Sequence, residues 1–237
     1  MRTFLLSLLL PLFFCGLVSP EKPLRILALG DSITQGGKRH VKEYTYRLPL
    51  QMILHKQGIA FDFVGSRVAG LHEDATWPDL AEGVAFDPEH EGYYGNKTQD
   101  AVDKAIRAYP VYDLPPDIVL IHLGTNDQKY GDFEKKVGQP LRQFIRFIRD
   151  KNPSVSILLG HLNFNDSEAA VKIRAVVEAV AEELHSSQSP VRTVHHYRNW
   201  IENPEHVYSD TYDWAHPNLK GQEKMAQHWW QAMQPFL

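Results

Sequence analysis

Cysteine is almost missing from this chain: of 237 residues, only Cys15 carries a thiol. A single cysteine excludes an intrachain disulfide framework and a cysteine-built metal site, so stability has to come from the core. Excess basic charge is missing too, because 25 Lys and Arg face 29 Asp and Glu, a formal net charge of −4. Without a basic footprint, no nucleic-acid partner is expected. No apolar run reaches the roughly 20 residues that a membrane-crossing helix needs. Neither an internal repeat nor a low-complexity linker divides the chain. What is present, 43% hydrophobic residues in a chain of this length, suffices for one core and one domain.

The first 19 residues read as an export leader. Arg2 precedes an apolar run over residues 4–14, broken only by Ser7 and Pro11, and the smaller Gly16, Val18 and Ser19 follow. The expectation is a signal peptide over residues 1–19 and a single domain over residues 20–237, in a secreted or periplasmic protein with no stable membrane insertion. Cys15 follows Phe13 and Phe14, so it only loosely resembles a lipoprotein attachment site. Its removal with the leader leaves no cysteine at all.

Along the rest of the chain, short apolar runs alternate with amphipathic stretches, the pattern of a parallel sheet covered by helices. Strands are predicted at residues 24–29, 61–64, 118–123, 156–160 and 191–194. Helices are predicted at residues 43–56, with Pro49 marking a start or kink, at 99–109, at 169–184 and at 219–233. Leu141, Phe144, Ile145 and Ile148 recur at helical spacing and stop before Asn152-Pro153. Right-handed crossovers turn this order into a three-layer α/β/α domain around a mostly parallel five-stranded sheet.

Four segments carry chemistry. Gly30-Asp31-Ser32 ends the first apolar run and holds a hydroxyl at the crevice where open α/β sheets bind ligands. Taken alone it is equally an ordinary turn. Asp213-Trp214-Ala215-His216 sets a carboxylate three residues before an imidazole, the spacing of an orienting pair that leaves Nε2 free to take a proton from Ser32. Gly124-Thr125-Asn126-Asp127 ends another apolar run and offers the Asn126 amide as an oxyanion donor. Gly95, ahead of the helix predicted at residues 99–109, offers a free backbone N–H, or simply caps that helix.

In this order the four segments resemble the SGNH hydrolases, esterases also known by a Gly-Asp-Ser-Leu signature. Ile33 stands where that signature has Leu. The strings Tyr46-Arg47-Leu48, Asp62-Phe63-Val64-Gly65-Ser66 and His90-Glu91-Gly92-Tyr93 are most similar to acetylxylan esterases of carbohydrate esterase family three. Those proteins tend to read Gly-Trp-Thr-Ile-Asp where this chain reads Gly95-Asn96-Lys97-Thr98-Gln99-Asp100. The resemblance implies an SGNH fold, a triad of Ser32, His216 and Asp213, an oxyanion hole from Ser32, Gly95 and Asn126, and no cofactor.

Several features stay outside that scheme. The segment 66–91 is acidic and aperiodic, and its carboxylates match no calcium loop. Trp77, Tyr93, Tyr94 and Tyr130 are either a sugar platform or core. His195-His196 shows no third ligand at metal spacing and reads as the polar end of a strand, so no metal is expected. Two glycosylation sequons begin at Asn96 and Asn165. The expected protein is a secreted esterase that removes acetyl groups from an acetylated polysaccharide or oligosaccharide. Its alternatives are a lipid or lysophospholipid esterase on the same fold and an inactive carbohydrate-binding module.

Overall fold

The computed structural model describes residues 22–37, 45–73, 76–112, 114–128, 131–164 and 167–237. The expected leader, Tyr130 and the start of the second sequon lie outside these residues. Five strands fall where apolar runs occur: β1 (Leu24–Gly30), β2 (Phe61–Val64), β4 (Ile118–His122), β5 (Ser156–Gly160) and β6 (Val191–Val194). A sixth, β3, is only Glu91–Gly92 and was not anticipated, because two residues carry no periodicity. The order is β2-β1-β4-β5-β6, with β3 continuing the β2 side of β1 opposite Leu29 and Gly30, and every pairing is parallel.

Both faces of such a sheet are covered, so its central strands β4 and β5 are nearly continuous apolar runs rather than alternating. Leu27, Leu29, Val119, Ile121, Ile157 and Leu159 pack under α3 (Thr98–Ala108), α4 (Gln139–Lys151) and α5 (Glu168–Leu184). The intervening Ile26, Ala28, Ile118, Leu120 and Leu158 pack under α2 (Arg47–Lys56) and α6 (Leu219–Met233). Trp229 on α6 is fully buried against His196, with ring centroids 4.5 Å apart. Truncating such a residue to Ala costs about 3–5 kcal/mol. Pro49 occupies the third position of α2, within its first turn, where a missing N–H costs little.

The chain leaves β1 toward β2 and later returns to its other side as β4. The sheet therefore reverses winding between β1 and β4, which opens a crevice beyond their carboxyl ends. The described residues of the acidic segment after β2 form a wrap over the start of α2. Arg47 is fully buried beneath it and donates to the carbonyls of Thr34 (3.0 Å) and Pro88 (2.8 Å), while Gln51 exchanges hydrogen bonds with the Asp87 backbone. Glu91, also buried, accepts from the Ser66 N–H and from the hydroxyls of Tyr93 and Tyr112.

Candidate active site

Ser32 opens α1, a single helical turn (Ser32–Gln35) that begins as β1 ends. Asp31 caps it, accepting the Ile33 N–H at 3.0 Å. Gly30 permits the turn by lacking a side chain: a Cβ there would lie 2.1 Å from the Thr34 hydroxyl oxygen and 2.8 Å from the His122 carbonyl. The Ser32 hydroxyl lies 2.9 Å from His216 Nε2, across 184 positions of sequence.

His216 sits in the loop that leads into α6, where Asn218 caps the helix by accepting the Gly221 N–H. Both Asp213 carboxylate oxygens lie 3.0 Å from His216 Nδ1, and Oδ1 also accepts the N–H groups of Ala215 and His216. Partial burial works against the Asp213 charge, but these two N–H groups and the imidazole outweigh it and hold its pKa at about 2. An ionised carboxylate only accepts, so Nδ1 carries the proton and the Nε2 lone pair faces the Ser32 hydroxyl.

The other expected residues, Gly95 and Asn126, lie in the turn before α3 and the turn after β4. Gly95 is exposed in a left-handed turn (φ +71°), and a Cβ added there would meet nothing within 4 Å. Among the described residues, neither its N–H nor that of Ser32 has an acceptor. Asn126 lies in the short turn after β4 and donates one amide proton to the Asn96 carbonyl at 2.9 Å, leaving the second uncommitted. Its neighbour Asp127 accepts both the N–H (2.9 Å) and the hydroxyl (2.7 Å) of Thr98, which ties the start of α3 to the end of β4. Asp31 is fully buried, and desolvation pushes its pKa up to about 6 despite the Ile33 N–H and the nearby Thr125 hydroxyl.

The aromatic residues divide. Trp77 packs on Phe86 (4.8 Å) and the Arg47 guanidinium within the wrap, whereas Tyr93 is buried in the core that packs under α3. Tyr94 stacks parallel to the His216 ring at 5.9 Å and donates its N–H to Gln35. Sequence reasoning passed over Trp214, which is 61% exposed between the two loop residues of the triad and edges onto Phe164. Grooves of about 300 and 340 Å³ contain Tyr94 and Trp214 respectively. A further groove of about 850 Å³, between α2 and α6, contains none of Ser32, Asp213 and His216.

One expectation needs correcting. His195 does have partners at ligand spacing, His161 and Glu178, which come from β5 and α5 rather than from neighbouring sequence. They lie toward the β5–β6 side of the sheet, away from β1 and Ser32.

Residues 28–224 match the model of the GDSL-like lipase/acylhydrolase family. The chain is 24% identical over 242 residues to a multidomain esterase of Ruminococcus flavefaciens, covering 93% of this chain but only 30% of that relative. Among solved structures, a carbohydrate esterase family 3 protein from Talaromyces cellulolyticus superposes with a TM-score of 0.71 at 22% identity, over 90% of this chain and 97% of that one. A Clostridium thermocellum family 3 carbohydrate esterase gives 0.69 at 22% identity, over 91% and 97%. At these identities the structural likeness speaks for the shared fold, and the family follows from the sequence match. This chain belongs to the GDSL-like lipase/acylhydrolase family.

Proposed function

We propose that this is an exported serine esterase that removes acetyl or another short acyl group from a carbohydrate through an acyl-enzyme. The observation that carries the serine mechanism is the unbroken line of hydrogen bonds from Ser32 through His216 to Asp213. In this reading Ser32 attacks the ester carbonyl carbon while His216 Nε2 takes its proton, and Asp213 stabilises the imidazolium so formed. The developing oxyanion receives the N–H groups of Ser32 and Gly95 and the second amide proton of Asn126. Collapse breaks the bond to the sugar oxygen, which leaves with the proton from His216. Water, deprotonated by the same nitrogen, then releases the acid from Ser32. No cofactor enters these steps.

Support for a carbohydrate comes from the mouth of the site. Trp214 presents an exposed flat ring beside His216, and Gln35, Arg67, Asn96 and Lys104 supply polar groups around the groove at Tyr94. The likeness to two family 3 carbohydrate esterases agrees with that chemistry, and the leader-like first 19 residues agree with export. The test is hydrolysis of acetyl, butyryl and octanoyl esters alongside release of acetate from acetylated xylan. A short pocket gives kcat/KM highest for acetyl esters. An apolar acyl slot would instead contribute about 0.8 kcal/mol, near fourfold, per added methylene. Activity rising with chain length, with no acetate released from polysaccharide, would move the protein to lipid esters.

A further inference from the structure

Outside the triad, the densest group of chemistry-bearing side chains lies where β5, α5 and β6 meet. His161 directly follows β5, Glu178 projects from α5 and His195 directly follows β6. One ligand atom from each lies within 4.8 Å of the other two. His161 sits between its partners, with Nδ1 3.1 Å from His195 Nδ1 and Nε2 3.1 Å from Glu178 Oε1, while His195 Nδ1 is 3.8 Å from that same oxygen. An imidazole gives one ion one nitrogen, and donors about 2.0–2.1 Å from a tetrahedral zinc ion are about 3.3 Å apart; Glu178 Oε1 lies 3.1 Å from His161 Nε2 and 3.8 Å from His195 Nδ1, so these three atoms suit one shared ion. The contact of His161 Nε2 with Glu178 is close but poorly directed, and this buried nitrogen forms no proper hydrogen bond. Atoms aimed at a common third point, rather than at each other, have this geometry.

The surroundings are built as a supporting shell. The Thr193 hydroxyl donates to the other Glu178 oxygen at 3.2 Å, and Tyr197 stacks on the His161 ring with 5.6 Å between centroids. Arg174 lies over Tyr197, and both Arg174 and Arg198 repel positive charge at the two imidazoles. Two imidazoles and one carboxylate suit a transition-metal ion, whereas Ca²⁺ and Mg²⁺ take oxygen ligands. Glu178 and His195 reach solvent and His161 does not, which leaves an entry side.

We propose that His161, Glu178 and His195 bind one divalent transition-metal ion of the zinc class, which braces β5, α5 and β6 in a chain without a disulfide. The test uses full-length protein free of any polyhistidine tag and stripped with chelator. Calorimetry with Zn²⁺ should show one ion bound per chain, and Zn²⁺ should raise the Tm while Ca²⁺ and Mg²⁺ at the same concentration do not. His161 is fully buried and its replacement risks the fold, so the variants are Glu178→Gln and His195→Ala. Each should weaken Zn²⁺ at least tenfold, and Thr193→Ala should weaken it by about tenfold through the carboxylate it holds. Absence of Zn²⁺ binding, or binding unchanged in both ligand variants, overturns the site; a Tm unmoved by bound Zn²⁺ overturns the bracing role. The readout is metal binding rather than ester cleavage, so it succeeds or fails separately from the esterase reading.

Discussion

Two histidine–carboxylate pairs stand on the same carboxyl-end edge of this sheet, His216 with Asp213 and His161 with Glu178. They use the same functional groups, an imidazole and a carboxylate, at similar distances, 3.0 and 3.1 Å, yet have different surroundings. In the first, the carboxylate is locked by two backbone N–H groups and the far nitrogen of the ring meets a hydroxyl. In the second, burial pushes His161 down to about 3, a neutral ring, and its other nitrogen meets a second imidazole. What the far nitrogen faces decides the chemistry. In the proposed readings the first pair serves as a base toward a hydroxyl, whereas the second joins a ligand set.

The largest test of this contrast removes the hydroxyl. Ser32→Ala should lower kcat by about 10⁶ with the fold unchanged, as in other triads; turnover near the wild-type rate in a folded variant would erase the distinction between the pairs. Asp213→Asn keeps the shape but no longer enforces the tautomer, so kcat should fall by up to about 10⁴. Steady-state rates with an acetyl ester measure both. Asn126→Ala removes a donor aimed at charge that exists only in the transition state, so kcat should drop about 10² to 10³ while KM holds. A raised KM at unchanged kcat would assign the amide to ground-state binding instead.

Asp31 sharpens the comparison from the other side, because it flanks Ser32 with the opposite shift to Asp213. With a folded pKa of about 6, the native chain holds a proton at Asp31 that the unfolded chain releases above its ordinary value of about 3.9. The folded state therefore binds more protons in that window. Stability falls as pH rises from about 4 to about 6 and stays lower above it. Asp31→Asn retains an oxygen for the Ile33 N–H and abolishes the titration. The variant should gain up to about 3 kcal/mol at pH 7.5 and lose that pH dependence. Urea unfolding of both proteins at pH 4.5 and 7.5 decides it, and equal differences at the two values would refute the assignment.

The two pairs also show what can be read from sequence. Asp213 and His216 are three residues apart, so their partnership is a local fact, and Ser32 is marked by the apolar run it ends. The central strands β4 and β5 are similarly visible as nearly continuous apolar runs, while the edge strands β2 and β6 are short and carry Asp62, Arg192 and Thr193. His161, Glu178 and His195 meet only because β5 and β6 pair with α5 packed beside them. No periodicity encodes that. The burial of Arg47 and Glu91, both charged, escaped for the same reason: their partners are backbone atoms and hydroxyls brought in from distant segments. Trp214 escaped differently, because exposure of a large ring depends on what its neighbours leave uncovered.

The contact between Ser32 and His216 closes 184 positions of chain, from the end of the first strand to the start of the last helix. Contacts of such separation carry the greatest loop-closure cost and depend on everything between them. During refolding, then, ester cleavage should be among the last signals to return, appearing only once α6 has docked against α2 and carried the catalytic loop to β1. The enzyme thereby carries its own clock: its turnover times the final closure of the chain, independently of the helix and sheet signals that precede it.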